Sequence, residues 1–179
     1  MARYVAFLRA INVGGHVVKM DALRRQFEVL GFENVETFIA SGNVIFQSGA
    51  RAEALESKIE VQLAKSLGYE VKTFLRTDSE VERIAAYEPF AAARVAAARS
   101  LNVGFLNRPL DKRGQTALMT FRSVNDDFHV DGRELYWLCK TGQADSSFSN
   151  LKFEKTVGCR STFRGLNTIR RLAARFAAD

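Results

Sequence analysis

A glycine pair between a strand and a helix is a place where backbone amides can hold an anion, and Gly14 and Gly15 stand in such a place. Arg9, Asn12, His16 and Lys19 flank them, and Ser41-Gly42-Asn43 forms a polar turn between two apolar runs, VETFIA and NVIFQS. A nearby Lys or Arg would strengthen the hold on a phosphate or carboxylate. The pattern is neither a P-loop, since GxxxxGK[ST] is absent, nor a dinucleotide fingerprint. Without an anion, the same glycines shape a tight connection and the same turn shapes a hairpin. The first candidate ligand-binding set is therefore Arg9, Asn12, Gly14, Gly15, Lys19, Ser41, Gly42 and Asn43.

A second set gathers near the C-terminus: Gly142, Ser146, Arg164, Asn167 and Thr168. Arg164 with Asn167 and Thr168 at a helix N-terminus could clamp a phosphate or carboxylate. The plainer alternative has Asn167 capping that helix and Arg164 pairing with a carboxylate of the fold. Catalytic arrangements are scarce. His16 and His129 are the only histidines, and neither belongs to a Ser–His–Asp or Cys–His pattern. His129 falls at an alternating strand position, which points to a structural role. Glu53, Glu56 and Glu60 read as helix-surface carboxylates and not as an acid–base pair. Two cysteines, Cys139 and Cys159, without a CxxC or Cys/His cluster, supply no zinc site. No metal and no cofactor are expected, and whether the chain is an enzyme stays open.

The elements that would position these residues come in two similar rounds. Val5-Ala6-Phe7-Leu8 is echoed by Val103-Gly104-Phe105-Leu106, each an apolar strand. A helix follows each, the first marked by Met20, Leu23, Phe27 and Leu30 before Gly31. Each round then offers a hairpin, at Ser41-Gly42 and at Asp131-Gly132, the latter suited to a turn with two left-handed residues. Leu55, Ile59, Leu63 and Leu67 stripe the next helix up to Gly68, and Phe148, Leu151 and Lys155 mark its counterpart up to Gly158. YEVKTFLR closes the first round, and Thr77-Asp78-Ser79-Glu80 reads as a capping box. A last helix over 167–178 would bury Ile169, Leu172, Ala173 and Phe176 and leave Arg170, Arg171 and Arg175 outside.

The order β-α-β-β-α-β is the split βαβ or ferredoxin-like unit. The expected fold is α+β, with tandem duplicated ferredoxin-like subdomains over 1–88 and 100–179 and an Ala-rich helical connection over 89–99. TFIA and VIF are apolar at successive positions, so both sheet faces should be covered. In this topology the loop after strand one and the turn between strands two and three share one edge of the sheet. That brings the first candidate set together.

Composition sets the outer bounds. An apolar share of 47% with 26% charged residues is that of a folded globular chain. No apolar run approaches the roughly 18 residues that cross a bilayer, and the N-terminus lacks the features of a signal peptide, so no membrane partner and a cytoplasmic address are expected. The net charge is +6, and residues 150–179 hold seven basic side chains against two carboxylates. Such a face attracts phosphate-bearing partners, although solvated basic stripes are common.

YVAFLRAINVGGHVVK, from Tyr4 to Lys19, and TFIASGNVIF, from Thr37 to Phe46, resemble the opening signature of a bacterial family, domain of unknown function 1697. The family's C-terminal motif Arg-Asn-Trp-Asn-Thr is similar to Arg164-Gly165-Leu166-Asn167-Thr168, with Gly165 and Leu166 departing from it. The resemblance implies two ferredoxin-like subdomains and brings no activity. The reading that follows is a binding module for a phosphate-containing or other anionic ligand, a nucleotide or nucleic acid. One alternative is an enzyme acting on a small anionic metabolite at the Gly-Gly loop. Another is a module for a protein partner.

Overall fold

The opening strand β1 (Ala2–Leu8) turns Tyr4, Ala6 and Leu8 to one face and Val5 and Phe7 to the other, and all five are buried. That double burial explains a sequence run without polar alternation. The computed structural model describes residues 1–12, 14–39 and 42–178, which divide into two units, Met1–Glu82 and Arg83–Asp179.

In the first unit β1 is followed by α1 (Met20–Val29), β2 (Glu33–Thr37), β3 (Asn43–Ser48), α2 (Ala52–Leu67) and β4 (Thr73–Thr77). The sheet is antiparallel in the order β2-β3-β1-β4. Leu23 and Phe27 of α1 and Leu55, Ile59 and Leu63 of α2 pack on Tyr4, Ala6, Leu8, Val44, Phe46 and Leu75. Phe46 stacks on Phe32 at a centroid distance of 4.5 Å. The second face carries Val5, Phe7, Ile45 and Phe74, equally buried. Helix α2 stops at Gly68 in the left-handed conformation, as its spacing predicts.

The second unit repeats the order. After α3 (Asp78–Ala86), which crosses the division, and the short α4 (Ala92–Ala97) come β5 (Ser100–Leu106), α5 (Lys112–Met119), β6 (Asp126–Asp131), β7 (Glu134–Cys139), α6 (Asn150–Val157), β8 (Ser161–Gly165) and α7 (Leu166–Ala177). Its sheet is β6-β7-β5-β8, again antiparallel. Among the described residues the chain is thus mixed α+β, with two four-stranded antiparallel sheets, seven α-helices and two similar halves.

Several local expectations are met. Thr77 and Glu80 form the reciprocal capping box, with Thr77 N donating to Glu80 Oε2 at 2.8 Å and Glu80 N to Thr77 Oγ1 at 3.2 Å. Helix α7 buries Ile169, Leu172 and Phe176 and exposes Arg170, Arg171 and Arg175, while Ala173, also expected inside, is half-buried. Others are revised. Phe153, not Leu151, is the buried residue of α6, because Ser149 caps the helix and sets its phase. The β6–β7 turn consists of Gly132 and Arg133, and only Gly132 is left-handed, in place of the two-residue left-handed turn expected at Asp131-Gly132.

Glu56 and Glu60 are not surface carboxylates. They accept the outward amides of edge strand β4, Leu75 N at 2.9 Å and Thr73 N at 3.0 Å. In the second half Glu154 of α6 does the same for Ser161 N of edge strand β8, at 2.8 Å. A carboxylate over an unpaired edge both satisfies the amide and blocks pairing with another chain. Glu60→Ala and Glu154→Ala should each lower stability by about 1–3 kcal/mol, the cost of orphaning a partly buried donor. Urea denaturation checks the magnitude. Faster amide exchange at Thr73 and Ser161, respectively, checks the cause.

Candidate functional site

The strand register decides which loops meet. Phe7 pairs with Asn43, and Leu8 N donates to Gly42 O at 2.8 Å, so the loop after β1 and the end of the first hairpin do share a sheet edge. Gly14 and Gly15 are exposed with φ of +65° and +85°. The loop is clipped at both ends. Asn12 Oδ1 accepts Val18 N at 2.7 Å, the His16 ring stacks on Tyr69 at 4.0 Å, and Tyr69 Oη donates to Ile11 O at 2.9 Å. Lys19 is exposed and Arg9 half-buried. Asn43 is fully buried, its side-chain amide donating to Phe38 O at 3.0 Å. Ser41 lies outside the described residues. Of the first candidate set, then, Asn12, Gly42 and Asn43 make contacts that build the loop and the turn.

The second edge is built around the start of β5. Ser100 pairs with Cys139 and Asn102 with Gly165, and Arg99 N donates to Cys139 O at 3.0 Å. The ends of β7 and β8 are thereby held on either side of one strand. Gly142, at φ +98°, passes beneath Arg99, and a Cβ there would come within 3.2 Å of Arg99 Cδ. Gln143 Nε2 donates to Asn102 Oδ1 at 2.5 Å and fixes the same loop to the strand. Ser146 Oγ donates to Asp126 Oδ1, which also takes Trp137 Nε1, both at 2.8 Å.

Helix α7 starts directly from β8. Gly165 holds its N-cap position without a side-chain cap, so Asn167 lies inside the first turn instead of capping it. Arg164 Nη1 donates to Thr162 Oγ1 at 3.0 Å and to Phe163 O at 2.9 Å, and burial pushes its pKa down to about 10. Asn167 and Thr168 line a groove of about 260 Å³ together with Ser100, Leu101, Arg99 and Arg170. Among the described residues, two guanidinium groups and no carboxylate line it. The equivalent helix start in the first half, at α3, is different. Asp78 and Glu80 place carboxylates within its first turn, and both accept backbone amides there. Of the groove's polar lining, Asn167 and Thr168 belong to the second candidate set read from the sequence, and Arg99 does not. It is an isolated arginine before a strand, and only the β5–β7 pairing carries it to the groove.

A third set of polar residues lines a cavity of about 240 Å³, and both of its carboxylates, Asp126 and Asp127, already have partners. Asp127 binds Arg94 at 2.6 Å and Arg122 at 2.7 Å. Burial alone would raise the Asp127 carboxyl, but the bonds from Arg94, Phe128 N and Arg122 outweigh it and hold the group below its ordinary value. His129 meets Tyr87 Oη at 2.8 Å. Cys139 and Cys159 are buried and free, and burial pushes the Cys159 thiol up, away from nucleophilic use. Among the described residues no three His, Cys, Asp or Glu side chains are grouped to hold a metal ion, and no helix is long and apolar enough to cross a membrane.

A family model described as protein of unknown function (DUF1697) matches residues 1–136. The chain belongs to the DUF1697 family. No curated protein matches it. Among solved structures it is similar to the conserved bacterial protein SP0830 from Streptococcus pneumoniae, at 22% identity over 97% of each chain with a TM-score of 0.72. At that identity the likeness is one of fold. The DUF1697 match spans the Gly-Gly loop, the first hairpin and Arg99, and ends before Asn167 and Thr168.

Gly42 offers a direct check on the first edge. It is left-handed at φ +76°, and a Cβ there would meet Ile11 Cγ2 at 2.7 Å, whereas Gly14 and Gly15 have open space around them. Gly42→Ala should cost about 2–4 kcal/mol by strain and overpacking together. Gly14→Ala and Gly15→Ala should cost about 1 kcal/mol each, from backbone conformation alone. Thermal unfolding of the three variants ranks them.

Proposed function

We propose that this DUF1697 protein is a binding module for a phosphate-bearing or other anionic ligand, and that the anion sits in the groove at the start of α7. The observation that carries the reading is the lining of that groove: Arg99 and Arg170 with Asn167 and Thr168, and no carboxylate among the described residues. Exposed guanidinium groups form charge-assisted, bidentate bonds to phosphate or carboxylate oxygens. The first-turn amides of α7, with no side-chain cap, add donors and the positive end of the helix dipole. Arg171 and Arg175, exposed further along the same helix, extend the positive field that would draw a nucleotide or nucleic acid in. Each half reads in the same proposal as a ferredoxin-like unit, supported by the βαββαβ order and the matching strand orders of the two sheets.

The Gly-Gly loop is the weaker seat for this ligand, because Asn12, Gly42 and Asn43 already hold the loop and hairpin in shape. Calorimetric titration with pyrophosphate at low ionic strength tests the reading. Arg99→Gln and Arg170→Gln should each weaken saturable binding by about tenfold or more, since a hydrogen bond to a charged group is worth about 1.5–3 kcal/mol. Arg113→Gln, on the exposed side of α5 and away from the groove, should bind as the parent does. Parental affinity in both groove variants, or no saturable binding at all, would show the reading to be wrong.

A further inference from the structure

Beside the basic groove lies a second cavity of about 250 Å³, lined chiefly by Tyr87, Pro89, Phe90, Ala96 and Leu101. Val95, Leu101, Leu166 and Arg170 line both spaces, so the two are neighbours across a shared wall. From this juxtaposition we infer the class of ligand: a small anion with an aromatic body, its ring in the apolar cavity and its phosphate or carboxylate at Arg99, Asn167 and Thr168. The inference rests on the anion-binding reading above and adds to it the part of the ligand that gives selectivity.

The walls favour an apolar body. Among the described residues, Glu88 and Arg170 are the only charged ones lining the second cavity, and the Tyr87 hydroxyl is taken by His129 at 2.8 Å. A nucleobase edge needs several directed donors and acceptors, and few are offered here. Rings pack well against Phe90, Tyr87 and Pro89, and the available space exceeds the roughly 150 Å³ of an apolar protein cavity that takes up benzene. The walls are also held in place. Phe90 carries the Arg94 guanidinium over its face at 5.3 Å and meets His129 edge-on at 6.4 Å. A pocket already shaped loses little ordering entropy on binding. Arg170 stands at the junction, where its methylene stem can cover the ring while its head reaches the anion.

The test compares phenyl phosphate, inorganic phosphate and AMP by calorimetry on the full chain. Phenyl phosphate should bind at least about tenfold tighter than inorganic phosphate, as burial of a ring predicts. Ala96→Trp, a change at an exposed helix position whose side chain fills the apolar cavity, should bring that ratio to about one. Circular dichroism confirms that the variant is folded, and Ala92→Trp repeats the test from a second position on the cavity wall. Equal affinity for phenyl and inorganic phosphate in the parent would overturn the inference while leaving the anion site in place. A phenyl phosphate advantage that survives both tryptophan variants would overturn it as well. AMP binding tenfold tighter than phenyl phosphate would replace the apolar body with a nucleoside. Loss of binding in Ala96→Trp alongside parental binding in Arg99→Gln would keep the cavity and refute the anion site.

Discussion

Everything at the proposed site depends on one strand being paired on both sides. β5 takes Cys139 of β7 opposite Ser100 and Gly165 of β8 opposite Asn102. Those two pairings bring the loop after β7 and the start of α7 to the same end of the sheet. Arg99 continues the ladder by one bond, to Cys139 O, and is delivered beside the first turn of α7. If the register of β8 slipped by one residue, its alternate side chains would exchange faces and the helix would start from the other side of the pleat. Glu154, bonded to Ser161 N, resists that slip, while the buried Asn102, bonded to Gln143, holds the loop after β7.

The two halves share a strand order and differ where the last helix starts. Arg76 and Arg164 occupy corresponding places, opposite Val5 and Val103, and each last strand runs into a helix. In the first half the helix start is closed by Thr77, Asp78 and Glu80 through their own hydrogen bonds. In the second, Gly165, Leu166 and Thr168 stand at those places, none of them a carboxylate. The shared device is the edge-strand carboxylate, Glu60 and Glu154, and the divergence is in the helix start that follows it.

Much of the fold was legible because strong local signals agreed with it. The stripe of Leu55, Ile59 and Leu63, the glycine stops at Gly68 and Gly158, and the Thr77–Glu80 capping box all involve neighbours in sequence. β8 was harder to see. It is five residues long, and Ser161, Thr162 and Arg164 leave it little apolar content, so only pairing with β5 defines it. Leu151 is exposed and Phe153 buried because helix phase depends on where the Ser149 cap falls, which apolar spacing alone does not give. The site divided along the same line. Asn167 and Thr168 stood out as polar residues near a basic helix, whereas Arg99 and the apolar wall of Phe90 and Val95 depend on long-range pairing and carried no sequence signal. The glycines of the first loop drew notice as an anion motif, but the hydrogen bonds around them explain their conformation without one.

The central claim is one of place: the anion binds at the start of α7 and not at the Gly-Gly loop. Backbone amide chemical shifts during a titration with inorganic phosphate report on both at once. The account predicts saturable shifts centred on Ser100, Leu166, Asn167 and Thr168, with Gly14, Gly15 and His16 unmoved. Shifts centred on Gly14 to Lys19, with the first turn of α7 silent, would contradict it.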